Sequence, residues 1–241
     1  MMRLKRKLSL CVVAAFWIST ATAAVDWAIG SPTLPVRQAG TAFWPEERDI
    51  LLQKVISRIE SKAQTLSAYK CRLSTVCVLG KIVEKRTYNY YFSKPGLVRM
   101  EIIQGKDKGA VLVYKQGIVY AKRFPLFFAL RFKPQSRMVT SIRGGQVDQT
   151  DIGFILSIIK APGRGLSWQG KEELNGQTLE VIELRDENAK PGEPQKGIFW
   201  VGQDGFILKY ELYDNDNNMV FQQCHDNIQL EVSFSPNLFK L

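Results

Sequence analysis

The sequence predicts a mainly β protein of the α+β class, one large antiparallel sheet curled around two amphipathic helices, and three observations carry that expectation. Turn signals recur at short spacing: Lys94-Pro95-Gly96, Gly105–Gly109, Lys115-Gln116-Gly117, Asn175-Gly176, Asp204-Gly205 and Asp214–Asn218. Asn-Gly and Asp-Gly are strong hairpin marks. Between turns the apolar period is two: Val98, Met100 and Ile102 alternate with Leu97, Arg99 and Glu101, which gives a strand one buried and one wet face. Two further segments carry apolar residues at helical spacing instead. A single antiparallel sheet must curl round two such helices to bury its apolar face. No internal repeat is visible, so residues 45–241 are expected to form one domain.

The elements follow in order. Residues 1–24 read as a cleavable secretory signal. Arg3, Lys5, Arg6 and Lys7 precede the apolar run Leu8–Ile18, and Ala21-Thr22-Ala23 offers a cleavage site near Ala23/Ala24. A membrane anchor would need about 20 apolar residues, and this run has 11. Cys11 lies inside the run and leaves with it. Val25–Trp44 carries Gly, Pro and Ser without periodicity and reads as an extended tail. A helix over 45–63 opens with Pro45-Glu46-Glu47: proline suits the first helical position and acids the positive helix end. Leu52, Val55, Ile56, Ile59 and Ala63 form its stripe. A second helix fits 150–160, capped by Thr150 or Asp151, with Ile152, Ile155, Ile158 and Ile159 turned inward and Ala161-Pro162-Gly163 ending it.

Charge and cysteines bound the function. Loss of residues 1–24 would reduce the formal net charge from +10 to about +6, a balance suited to anionic head groups, to acidic partners or simply to water. Export argues against nucleic acid as a partner. The exported chain keeps Cys71, Cys77 and Cys224. Cys71 and Cys77 stand six apart in an alternating stretch, about 20 Å along one strand face, while a bridge needs Cα atoms within about 7 Å. A disulfide is therefore expected, if anywhere, between Cys224 and either Cys71 or Cys77. Cys224 and His225 point apart on a strand and C-x5-C is too wide for a zinc pair, so no metal and no other cofactor is expected. The single histidine, His225, sits among polar residues in the sequence. Neither a nucleophile elbow, a zinc-protease motif nor a phosphate loop occurs. Glu172, Glu173 and Asp186 could form an acid–base pair but suit a solvated surface as well. The expectation is not an enzyme.

The order of motifs then becomes informative. After the signal and first helix come the strand Tyr88–Ser93, the run Lys94-Pro95-Gly96-Leu97-Val98-Arg99-Met100, a Gly-rich turn, Val111-Leu112-Val113-Tyr114 with Gly117 three residues on, and the helix opening Thr150-Asp151-Ile152-Gly153. This order resembles the periplasmic lipoprotein-sorting proteins, the LolA/LolB-like superfamily, over about residues 45–235. In that family an unclosed half-barrel of antiparallel strands encloses a hydrophobic cavity that takes the acyl chains of lipoproteins in transit, with helices as a lid. The resemblance implies such a half-barrel here, with helices 45–63 and 150–160 on its concave face. Relatives on the fold also sense lipoproteins, regulate envelope stress or serve lipid exporters.

One stretch, Lys122-Arg-Phe-Pro-Leu-Phe-Phe-Ala-Leu-Arg-Phe132, keeps three readings open. As a strand it places Phe124, Leu126, Phe128, Leu130 and Phe132 on one face. That face is either ordinary core or the wall of a slot for alkyl chains. Alternatively Phe127-Phe128, flanked by cations, inserts into a membrane. On the cavity reading the lining is Val98, Met100, Ile102, Leu112, Tyr114, Phe124, Phe128, Leu130 and Phe132, closed by Ile152, Ile155, Ile158 and Ile159.

The function expected from these readings is a periplasmic carrier or sensor that reversibly binds acyl chains of a lipid or lipoprotein. Its partners would include an inner- or outer-membrane envelope complex and a transient membrane contact. The alternative is a non-enzymatic envelope interaction module that docks through its basic surface without a bound lipid.

Overall fold

The computed structural model describes residues 45–123 and 125–241; the signal and tail readings, and Phe124, fall outside them. The first helix, α1 (Pro45–Thr65), opens with Pro45, Glu46 and Glu47 and buries Leu52, Val55, Ile56 and Ile59. Lys94 closes it, donating to the carbonyls of Ala63 and Gln64 at 2.7 and 2.8 Å, a cation at the negative end of the helix dipole.

Six strands follow: β1 (Ala68–Leu79), β2 (Ile82–Ser93), β3 (Leu97–Gly105), β4 (Val111–Lys115), β5 (Ile118–Lys122) and the short β6 (Leu130–Phe132). A 3-10 turn (Val147–Gln149) and α2 (Ile152–Ile159) lead into β7 (Arg164–Leu174), β8 (Gln177–Asp186), β9 (Lys196–Val201), β10 (Ile207–Tyr213) and β11 (Met219–Leu230). All eleven strands form one sheet in the order β6-β5-β4-β3-β2-β1-β11-β10-β9-β8-β7. Each of the six turn signals falls between consecutive strands. The one long-range pairing is β1 with β11, antiparallel from Tyr69↔Leu230 to Cys77↔Phe221. It joins the two halves and leaves β6 and β7 as free edges, so the sheet curls without closing.

Both helices pack on the concave face. Leu52, Val55, Ile56 and Ile59 of α1 share one apolar core with Ile152, Ile155 and Ile159 of α2 and with inward side chains of the strands. Each such buried aliphatic contributes about 1.5–3 kcal/mol. The β9–β10 turn seats α1: a Cβ on Gly205 would lie 2.3 Å from the Arg58 carbonyl oxygen, and its φ of +85° suits only glycine. For α2 the cap is Asp151, whose Oδ1 accepts from the backbone N–H of Gly153 at 2.7 Å and of Phe154 at 3.2 Å. The helix is therefore shorter than the expected 150–160, and Thr150 is left for another role. Past β11 the chain runs over the convex face of β2 and β3. There Phe234 meets Tyr91 edge-on and Arg99 donates to the Leu238 carbonyl at 2.8 Å.

The stretch 122–132 departs from its strand reading. Hairpin arithmetic gives the reason. Val119 pairs with Phe132 and Ala121 with Leu130, so β5 is used up by the last three residues and 123–129 must be the connection. Pro125, without an N–H, suits a loop there. Phe128 consequently leaves the concave face and stands 61% exposed, beside Phe127 at 88%.

Candidate functional site: the concave face

Register places most of the predicted lining on one surface. Two cross-strand rows run from β3 to the free edge: Val98↔Tyr114↔Val119↔Phe132 and Met100↔Leu112↔Ala121↔Leu130. Ile102, opposite Tyr88, extends the face along β3. Successive side chains alternate between faces, so these residues share the concave side. Burial falls along the second row, from Met100 at 4% exposed through Leu112 at 9% to Leu130 at 36%. The result is an aliphatic wing that begins in the packed interior and reaches solvent at β6. Ile152, Ile155 and Ile159 are buried in the same core, and Ile158 packs half-buried against it. Val119, Ala121, Val139 and Val147 join the wing without having been singled out. Val119 was within reach of pattern reading, one step beyond the Gly117 turn. Val139 and Val147 lie in irregular backbone, where no period points to them.

The other half of the concave face is built differently. Tyr69 lies 5.5 Å from Tyr90, 5.3 Å from Phe92 and 5.3 Å from Phe206, centroid to centroid. Phe199 stacks on Tyr210 at 5.6 Å. Polar groups thread this aromatic wall. Gln223, buried on β11, donates to the Thr150 carbonyl at 3.1 Å and stands 3.2 Å from Nε2 of His225. The Tyr210 hydroxyl donates to Gln223 at 3.4 Å. The Thr150 hydroxyl donates to the Val147 carbonyl at 2.9 Å and meets the Tyr90 hydroxyl at 3.2 Å. Thr150 thus ties the start of α2 to both β2 and β11. Burial drives the titration behaviour here: it pushes the Tyr69, Tyr90 and Tyr210 hydroxyls well up and the His225 imidazole down to about 4. Burial likewise raises the Asp151 carboxyl.

His225 belongs to this same wall. Its sequence neighbours are polar, but the register pairs it with Leu73, and Phe206 packs edge-on against its ring at 5.4 Å. Strand alternation, and not local composition, decides its environment. The disulfide expectation is the second correction. Cys224 pairs with Ser74, so it shares the convex side with Ser74, whereas Cys71 and Cys77 belong to the concave parity of Leu73. All three are free thiols, and opposite faces of one sheet cannot be bridged. Among the described residues no group of three His, Cys, Asp or Glu side chains is placed to hold a metal ion. Two of the carboxylates noted in the sequence have structural partners: Glu172 accepts from the Trp200 indole at 2.7 Å and Asp186 pairs with Arg164 at 2.9 Å; Glu173 is exposed.

A groove of about 720 Å³ also runs along the far flank of α1, lined by Ile50, Leu51, Val55, Arg58 and, from β8, Glu180 among others. None of the predicted lining residues reaches it, and it is open to solvent along its length.

No family model matches the chain, and neither does any curated protein. Solved structures do. An uncharacterized conserved protein from Thermus thermophilus superposes with a TM-score of 0.50 at 9% identity, over 78% of this chain and 92% of that one. MucB, also solved in complex with MucA from Pseudomonas aeruginosa, matches with a TM-score of 0.52 at 11% identity, over 80% of this chain and 63% of its own. A LolA superfamily protein from Nitrosomonas europaea matches more loosely, with a TM-score of 0.39 at 12% identity, over 79% of this chain and 97% of that one. The likeness is one of fold: an unclosed antiparallel sheet with helices on its concave face.

Proposed function

We propose that this protein is an exported, periplasmic carrier or sensor that binds the acyl chain of a lipid or lipoprotein reversibly and without a catalytic step. The observation that carries the reading is the aliphatic wing, whose apolar rows run unbroken from Met100 and Val98 to the free edge at Leu130 and Phe132. An alkyl chain entering at β6 meets only aliphatic and aromatic side chains. Each methylene it buries contributes about 0.8 kcal/mol, so a long chain is held with no polar contact. Met100, unbranched and polarizable, can re-pack around such a guest. Room for it comes from displacement of α2 and the segment before it, held to the wall by the hydrogen bonds of Thr150. Export is supported by the charged start, apolar run and small-residue site of residues 1–24.

The test is mass spectrometry of organic extracts from the purified protein. About one acylated molecule per chain supports the carrier. Its absence favours the second reading, a docking module whose concave face is filled by its own side chains. The burial of Ile155 and Ile159 in the core favours that reading, and MucB, with its partner MucA, offers a parallel on the same fold.

A further inference from the structure

The sheet gathers three connections at one end. The β1–β2 hairpin tip follows Leu79↔Ile82, β3 finishes with Gly105 opposite Arg86, and β5 finishes with Lys122 opposite Val111. The hairpin tip, the β3–β4 turn and the β5–β6 loop are therefore neighbours, and Asp107 fastens them. It pairs with Arg86 of β2 at 3.1 Å and with Arg123 of the loop at 2.8 Å. Here stand four of the exposed large apolar side chains among the described residues. Phe127 is 88% and Phe128 61% exposed, and across the turn Ile82 is 61% and Val83 55% exposed. The strands that lead to the two apolar tips, β2 and β5, stand three strand spacings apart, about 14 Å.

Charge surrounds them. Lys81, Lys85, Lys106, Lys108, Lys122 and Arg123 stand on these connections. The only acids among them, Glu84 and Asp107, are each paired with Arg86. Across the same end of the sheet, the β8–β9 and β10–β11 connections carry Glu187, Glu193, Asp214 and Asp216 with one lysine, Lys190, so net positive charge is concentrated in the half that ends at β6. Exposed phenylalanines and β-branched residues ringed by lysines match the layering of a membrane interface, apolar tips below the head groups and ammonium groups at their level. A protein partner of ordinary kind would instead meet one contiguous apolar patch; these tips are separate, short and set in cations.

We infer that this end of the sheet docks onto an anionic phospholipid bilayer, with Phe127, Phe128, Ile82 and Val83 entering the interface. The surface is distinct from the concave face and needs no bound acyl chain. It also lies directly before Leu130, so docking would present the free edge of the aliphatic wing to the lipid.

Co-sedimentation of the purified protein, as processed by the exporting cell, with phosphatidylglycerol-containing and pure phosphatidylcholine vesicles tests the inference. Binding is expected to the anionic vesicles and to weaken in high salt. Phe127→Ser with Phe128→Ser should reduce it by about tenfold or more, the burial of two aromatic rings at the interface. Ile82→Ser with Val83→Ser should reduce it less, and Ile50→Ser on α1, an exposed apolar residue elsewhere, should not. All these side chains are exposed, and circular dichroism checks that each variant is folded. Equal binding to both vesicle types, no binding to either, or undiminished binding by the phenylalanine variant would each overturn the docking surface. None of these results bears on lipid extracted from the concave face.

Discussion

The two halves of the concave face bury apolar residues by different means. On β1, β2, β9, β10 and the β9–β10 turn the interior is a wall of interlocked rings, Tyr69, Tyr90, Phe92, Phe199, Phe206 and Tyr210, crossed by the hydrogen bonds of Gln223, Thr150 and His225. Ring geometry and hydrogen bonds are directional, so such a wall has one good arrangement and resists repacking. On β3 to β6 the interior is Val98, Met100, Ile102, Leu112 and Val119, with no polar group to satisfy and an open edge. Aliphatic contacts are individually weak and non-directional, so they re-form around a guest at small cost. The contrast separates a half with directional packing from a half with non-directional packing, and the proposed function assigns the guest to the second.

The largest effect should come from the wall. Phe199→Ala removes a fully buried ring from a stack and should cost about 3–5 kcal/mol in urea unfolding, while fatty-acid affinity of the folded fraction stays unchanged. A loss of affinity with little loss of stability would invert the comparison.

Next is the buried histidine. With the His225 imidazole held down to about 4 against an ordinary 6.5, the unfolded chain takes the proton first. Stability is intact above pH 6.5 and declines as pH falls from 6.5 toward 4, by about 3 kcal/mol. The Asp151 carboxyl, raised by burial, offsets part of this. His225→Gln should flatten the decline between those limits in a series of denaturant titrations. An unchanged profile would place the imidazole in contact with water.

In the wing the effects should be smaller and of another kind. Leu112→Ala should cost about 2 kcal/mol, the low end for a leucine in a core, and should weaken displacement of a fluorescent fatty acid. Full loss of stability with unaltered displacement would make the wing ordinary core. Ile155, with no exposed surface, cannot separate lid from core, since a charge there would disrupt packing in either case. Half-buried Ile158 can: Ile158→Ala should alter fatty-acid affinity more than stability. Smallest is the loop: Phe128→Ala should shift stability by no more than about 0.5 kcal/mol and leave fatty-acid binding intact.

Much of this contrast was legible in the sequence, and the rest was not for stated reasons. Period and turn chemistry located both helices and six of the hairpins, because those signals are local; the β1–β2 turn and the β5–β6 and β8–β9 connections were not among them. Period two put Val98, Met100 and Ile102 on one face, whereas the rows Val98–Phe132 and Met100–Leu130, which also run through Val119 and Ala121, come from the register. Phe128 was misplaced because alternation does not reveal how long the partner strand is; five-residue β5 left it nothing to pair with. The Cys224 bridge was misplaced and the buried setting of His225 was not visible, because their side is fixed by a pairing with β1 some 150 positions away. The aromatic wall went unseen for the same reason: its rings come from β1, β2, β9 and β10 and meet only once β11 joins the two halves.

The central claim is that an acyl chain enters at β6 and lies along the aliphatic wing. A fatty acid carrying a photoreactive group along its chain, cross-linked to the protein and mapped by peptide mass spectrometry, tests it most directly. Labels are expected on Val98–Ile102, Val111–Tyr114 and Leu130–Phe132, and they should be competed away by unlabelled fatty acid. Competable labels confined to Tyr69, Phe199 and Tyr210, to the groove along α1, or to Phe127 and Phe128 would contradict it.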